Sequence, residues 1–126
     1  MKGGYLVEWK LDKNRALCPQ ICEQLCAFIA NGVFKPNEQL MSVRDIAVEA
    51  GVNPNTVQKS FETLAQEGLL YSVRGSGWFV SDDIRTAKET LNALAESKTR
   101  TYFEDMSTLG FTADETKKIV EEFENE

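Results

Sequence analysis

A helix-stopping glycine, Gly51, stands three residues ahead of a proline, Pro54, and amphipathic helical patterns run up to the first and away from the second. Upstream, Val43, Ile46, Ala47 and Ala50 share one side of a helix, and Ser42 with Asp45 three residues on is a capping-box-like start. Downstream, Val57, Phe61, Leu64 and Ala65 form a single apolar stripe that Gly68 ends. Asn53 is a favoured N-cap and Pro54 a favoured first helical residue, so "VNPNT" reads as turn, cap and helix. Two helices joined by so tight a glycine-bearing turn predict a helix-turn-helix.

The flanking sequence limits which kind. Tyr5, Val7, Trp9 and Leu11 alternate with Leu6, Glu8, Lys10 and Asp12, a period of two that predicts a short strand. "DKNRA" turns the chain, and a helix is expected from Pro19, carrying Ile21, Leu25, Phe28 and Ile29 and ending near Asn31 and Gly32. "FKPNEQLM" reads as a turn. After Gly68, the runs "LLYSV" and "GWFV" flank "RGS" and predict a hairpin, which makes the motif a winged one.

Beyond Ser81 the character changes. Ile84, Ala87, Leu91, Leu94 or Ala95, Tyr102, Met106 and Leu109 recur at three- and four-residue intervals, interrupted by Lys98. A long helix with one apolar stripe needs a partner. Gly110 ends it, Thr112 and Glu115 form a capping box, and Ile119, Val120 and Phe123 mark a last short helix. Glu121, Glu122, Glu124 and Glu126 oppose the dipole at its end. The expected fold class is α+β, mainly α. Residues 1–80 form a winged helix-turn-helix domain and residues 81–126 a two-helix dimerisation tail, with the boundary near Ser81.

Charge follows the same division. The 126 residues carry a net charge of −6, yet residues 1–80 hold eight Lys/Arg against eight Asp/Glu, and residues 81–126 hold six against twelve. The acid belongs to the tail, leaving the first part free to present a basic face. There is no histidine, which removes triads, His-zinc sites and the commonest general base. No nucleophile and base pair is visible, so an enzyme is not expected, nor a metal or cofactor. The three cysteines form no disulfide framework, and no apolar run approaches the roughly 18 residues a bilayer span needs. A soluble, cytoplasmic protein is expected.

With Val57 and Phe61 inward, Asn55, Thr56, Gln58, Lys59 and Glu62 lie on the outer surface of the third helix. Asn and Gln amides match adenine N6 and N7, and Thr meets a phosphate or a thymine methyl. Uncharged polar groups at the exposed start of such a helix are the ones that reach base edges. Asn53 has a second reading, as a cap alone. Arg44 either clamps a phosphate or pairs with Asp45 or Glu49. Arg74 sits at the wing tip beside Gly75 and Gly77, where backbone can approach a duplex and a guanidinium can enter a minor groove. Cys18, Cys22 and Cys26 are spaced by four, as in a redox or soft-metal array or as small apolar residues of a helix face. If Phe79 points into the core, Trp78 faces outward, against the linker or a nucleotide.

Taken together, "QLMSVRDIAVEAGVNPNTVQKSFETLAQEGLLYSVRGSGWFV" resembles the DNA-binding domain of GntR-family bacterial transcription regulators, and the whole length with its short helical tail resembles the YtrA-like subfamily. The resemblance implies a dimeric winged-helix repressor on a palindromic operator in double-stranded DNA. It places DNA contacts on Arg44, Asn53, Asn55, Thr56, Gln58, Lys59, Arg74 and Gly75. The dimer interface is expected on Ile84, Leu91, Leu94, Tyr102, Met106, Leu109, Ile119 and Phe123. The tail is too short for an effector domain of its own, so any small-molecule effector would bind at an interface. Departures are Met41 where proline is common, Trp78 where a small polar residue is usual, and "ALCPQI" lacking Pro-x-Tyr. A winged-helix protein-interaction module without DNA binding, and a cysteine-based redox-sensing regulator, are the alternatives.

Overall fold

Both helices of the central motif begin at the caps the sequence sets. In the computed structural model, which describes residues 7–125, the Asp45 N–H donates to Ser42 Oγ at 3.0 Å and the Asn55 N–H to Asn53 Oδ1 at 2.7 Å. The elements in order are α1 (Leu17–Ala30), α2 (Val43–Ala50), α3 (Pro54–Gln66), β1 (Leu70–Val73), β2 (Gly77–Val80), α4 (Arg85–Thr108) and α5 (Ala113–Glu124). The chain forms two compact units, Met1–Leu91 and Asn92–Glu126, so the first includes the opening turns of α4.

In the first unit α1, α2 and α3 enclose a core of Ile21, Leu25, Ile29, Ile46, Val57, Phe61 and Leu64, which Leu69, Leu70 and Val80 close. Gly51 ends α2 at φ 71°, ψ 38°, a left-handed geometry that a side chain disfavours. The Val52 N–H then donates back to the Ala47 carbonyl at 3.0 Å, turning the chain into α3. The wing is the antiparallel pair β1–β2, in register Leu70 to Val80 and Val73 to Gly77.

Four expectations need correction. The expected strand at Tyr5–Leu11 is not one over its described residues, and Tyr5 and Leu6 lie outside them. Val7, Trp9 and Leu11 are half-buried and Glu8 and Lys10 exposed, so the alternation is that of an extended segment. Its backbone is paired by side chains of α1 in place of a strand. The Lys10 N–H donates to Gln24 Oε1 at 2.9 Å while Gln24 Nε2 donates to the Lys10 carbonyl at 2.7 Å, and Gln20 pairs Asp12 in the same way at 2.8 and 2.9 Å.

Helix α1 starts at Leu17, two residues earlier than expected, so Pro19 is its third residue and Cys18 lies inside the helix. A proline is tolerated there because N–H groups of the first turn have no helical partner. "FKPNEQLM" is more than a turn. Its second half runs beside β2, the Val80 N–H donating to Glu38 O and the Leu40 N–H to Trp78 O, both at 2.9 Å.

The wing faces are also reversed from expectation. Trp78 points to Phe61 with ring centroids 5.5 Å apart, and Phe79 stacks on Tyr71 on the opposite face, also at 5.5 Å. The larger indole fills the space over α3, and the Tyr71 hydroxyl reaches Asn37 Oδ1 at 2.9 Å.

The second unit comprises α4 from Asn92 together with α5. Gly110 follows α4, the Phe111 N–H reaches back to Met106 O at 3.0 Å, and Thr112 and Glu115 form the reciprocal capping box of α5. Thr116 is buried and donates to the Thr112 carbonyl at 2.9 Å. Among the described residues, no helix is long and apolar enough to cross a membrane.

Candidate nucleic-acid interface

The start of α3 presents its polar residues much as the stripe of Val57, Phe61 and Leu64 requires. Burying that stripe leaves Asn55 and Lys59 exposed and Thr56 and Gln58 partly so. Asn53 Oδ1 is committed to the Asn55 N–H, so its carbonyl end serves as a cap. Gln58 is oriented within the helix, its Nε2 donating to Glu62 Oε2 at 2.8 Å.

Arg44, exposed on the first turn of α2, makes no ion pair among the described residues. Glu49, one of its two possible partners, is otherwise engaged. Its Oε1 accepts from the Val7 N–H at 3.3 Å and from Trp9 Nε1 at 3.1 Å, which ties the N-terminal segment to α2.

At the wing tip, Arg74 and Gly75 are exposed in a turn closed by the Ser76 N–H donating to Val73 O at 2.9 Å. Gly75 has a φ of 81°, the value of the third residue of a type II turn, where glycine is favoured. The Gln39 side-chain amide donates to the Ser76 carbonyl and holds the tip from the neighbouring segment.

Two cations of the turn "DKNRA" belong with this group. Lys13 and Arg15 line an open cleft of about 490 Å³ together with Asn55, Thr56 and Lys59. Lys13 Nζ donates to the Gly51 carbonyl at 2.6 Å, placing an ammonium at the C-terminal end of α2, where the helix dipole favours a cation. No periodicity marks a turn residue, so only the tertiary fold brings "DKNRA" beside a helix start some forty residues on. A cleft with three cations and two uncharged polar side chains suits a phosphate-bearing ligand.

The cysteines are of a different kind. Burial, with Cys18 adjacent, pushes the Cys22 thiol up to about 12, and burial raises Cys26 as well. Cys22 Sγ donates to the Ser60 carbonyl at 3.6 Å and Cys26 Sγ to the Ala87 carbonyl at 3.4 Å. Ser60 is itself fully buried, donates to Thr56 O at 2.8 Å and lies 3.3 Å from Cys18 Sγ. The Cys22 and Cys26 thiols, held protonated by burial, are weak nucleophiles, the opposite of what a redox sensor needs.

Residues 17–80 match the model of the gntR family of bacterial regulatory proteins. The chain belongs to the GntR family. The matched span runs from the first residue of α1 to the last residue of β2, so family and fold delimit the same winged helix-turn-helix. GntR proteins are DNA-binding transcription regulators and not enzymes. The HTH-type transcriptional repressor YtrA of Bacillus subtilis is 37% identical over 67 residues, which are 53% of this chain and 52% of that protein. The chain thus aligns with about half the length of that relative. A GntR family transcriptional regulator from Listeria monocytogenes superposes with a TM-score of 0.77 at 28% identity, over 89% of this chain and 98% of the other. AraR(DBD), solved in complex with operator ORX1, superposes with a TM-score of 0.51 at 28% identity, over 60% of this chain and 93% of the other.

Of the dimer residues expected from the sequence, Ile84 and Leu91 are partly buried against the core of the first unit. In the second unit Met106 and Ile119 are half-buried, Tyr102 is 38% exposed, and Leu109 and Phe123 are 71% exposed. Tyr102, Ile119, Val120 and Phe123 line an apolar groove of about 310 Å³.

Proposed function

We propose that this GntR protein is a cytoplasmic repressor that binds a palindromic operator as a homodimer. Residues 1–80 carry the winged helix-turn-helix, and residues 81–126 carry the dimerisation tail, whose opening turns pack under the winged helix. The observation that carries the reading is the cleft in which Lys13, Arg15 and Lys59 meet Asn55 and Thr56 at the exposed start of α3. Cations there neutralise phosphates and fix the register, and the uncharged amides and hydroxyl discriminate bases.

Arg44 adds a phosphate or groove contact from α2, and Arg74 with Gly75 adds a wing contact in the adjacent minor groove. Asn53, Gln58 and Lys59 complete the surface. The likeness to the repressor YtrA and to AraR(DBD), solved with its operator, supports repression and operator binding. So few cations on one subunit give modest affinity, and pairing two subunits multiplies it. The apolar side chains left exposed in the second unit, Leu109 and Phe123 above all, are the surface for that pairing, and they replace Ile84 and Leu91 at its centre. A small-molecule effector would bind where subunits meet.

The test is to incubate purified protein with fragments of its own genome at moderate salt, recover the bound fraction and sequence it. An inverted repeat with half-sites about one helical turn apart supports the proposal. Uniform recovery, or none at low salt, would make the motif a scaffold for protein contacts.

A further inference from the structure

The bond between Gln58 and Glu62 limits how α3 can read a base. A glutamine side chain has a donor end and an acceptor end of nearly the same shape, and a half-turn about its last torsion exchanges them. A free glutamine on a helix surface therefore offers either polarity to a base edge. Here the amide is not free. Gln58 Nε2 donates to Glu62 Oε2 at 2.8 Å, one helical turn further along α3. A carboxylate only accepts, so the reversed amide would set Oε1 against a negative oxygen and is disfavoured.

We infer that Glu62 is a positioning residue that fixes the polarity of the Gln58 amide and so sets which base pair Gln58 selects. This rests on the reading of α3 as the helix that enters the major groove. With one N–H held by Glu62, Gln58 retains its second N–H and its Oε1 in a fixed order. Adenine presents an acceptor at N7 and a donor at N6, and this pair of groups matches it in one orientation of the A·T pair. Reversal of the amide would match the donor and acceptor order of a different edge and blur the choice. Glu62 has a cost elsewhere, since its charge repels the phosphates of every sequence alike.

The test measures binding of wild type, Gln58→Ala, Glu62→Ala and Glu62→Gln to an inverted repeat recovered from genomic fragments, with each position of a half-site substituted in turn. Gln58→Ala identifies the positions that Gln58 selects. Glu62→Gln keeps a hydrogen-bonding partner of the same size yet accepts either amide polarity, so it separates orientation from packing. Both Glu62 variants are expected to lose about twofold discrimination at the positions Gln58→Ala flattens. They keep preference at other positions and bind all sequences more tightly. Retained discrimination at those positions in both variants overturns the positioning role while leaving Gln58 as a base contact. If Gln58→Ala flattens no position, the inference fails together with the Gln58 contact it stands on.

Discussion

Trp78 on β2 meets Phe61 on α3 edge to face, ring centroids 5.5 Å apart and planes at 74°. Phe61 is fully buried and Trp78 half-buried, so the wing is braced against the back of the helix whose front carries Asn55 and Gln58. Trp78→Ala removes that brace. Full truncation of a core tryptophan costs 3–5 kcal/mol, and a half-buried one about 2 kcal/mol. Urea unfolding is expected to show that loss, with Trp78→Phe losing less than half as much. An unchanged midpoint for Trp78→Ala would mean the indole does not hold the wing.

The buried thiols predict an alkaline limit to stability. The folded chain holds the Cys22 proton more tightly than the unfolded chain does, because its thiol is pushed from about 9 up to about 12 by burial first and by Cys18 second. That contribution is fully present below pH 9 and is lost as pH rises from about 9 toward about 12. Cys26 acts in the same direction. Denaturant midpoints measured between pH 8 and 11 are expected to fall more steeply for wild type than for Cys22→Ala. Alkylation at pH 8 is expected to label Cys22 and Cys26 far more slowly in the native protein than in the urea-unfolded one, and equal rates at these two sites would show that their thiols are accessible.

Most of the fold was legible because its punctuation is local. Ser42, Gly51, Asn53 and Thr112 act on N–H and carbonyl groups within a few residues of themselves, so their roles can be read without the rest of the chain. What was illegible depends on distant partners. The alternation at Val7–Leu11 is real, but whether it makes a strand depends on the neighbouring backbone, and here the neighbours are Gln20, Gln24 and Glu49. Alternation could place Trp78 and Phe79 on opposite faces but could not say which face is inward. Lys13 and Arg15 carry no pattern at all, and Ile84, just ahead of α4, and Leu91 look like the rest of the tail's apolar stripe although they pack against the first unit's core.

Because Gln24 both donates to and accepts from Lys10, Gln24→Ala leaves two backbone groups without protein partners. Both lie in an exposed setting where water replaces them, so the loss is expected to be about 1 kcal/mol. Hydrogen exchange is the sharper measurement. The Lys10 amide is expected to lose protection while that of Asp12, held by Gln20, keeps it. Equal loss at both would show that the segment detaches as one piece.

The interface residues separate by what they touch. Arg74→Ala, Lys13→Ala and Arg15→Ala are each expected to weaken binding of all sequences and to reduce the slope of log affinity against log salt by about 1. Asn55→Ala is expected to leave that slope alone and to relax preference at a base position, by about 1–3 kcal/mol for a lost bidentate contact. Titration of operator and random duplex at three salt concentrations distinguishes the two kinds. If Arg74→Ala and Asn55→Ala both bind as wild type does, the assignment of contacts is wrong.

Assembly and folding are separable in the tail, because its apolar residues divide by exposure. Leu109 and Phe123 are 71% exposed, so replacing each with glutamate takes little from the folded subunit. Ile84 and Leu91 are partly buried against the first unit's core, so Ile84→Ala and Leu91→Ala are expected to lower the unfolding midpoint. If the exposed pair forms the contact between subunits, Leu109→Glu with Phe123→Glu places charges in an apolar interface. The doubly substituted protein is then expected to sediment as a monomer with native helical content. Its operator affinity is expected to fall by about 10²- to 10⁴-fold, since linked half-sites contribute through effective concentration. Single half-site binding is expected to remain as weak as that of one wild-type subunit. A dimer that survives both charges would place the interface elsewhere and leave the exposed leucine and phenylalanine to another partner.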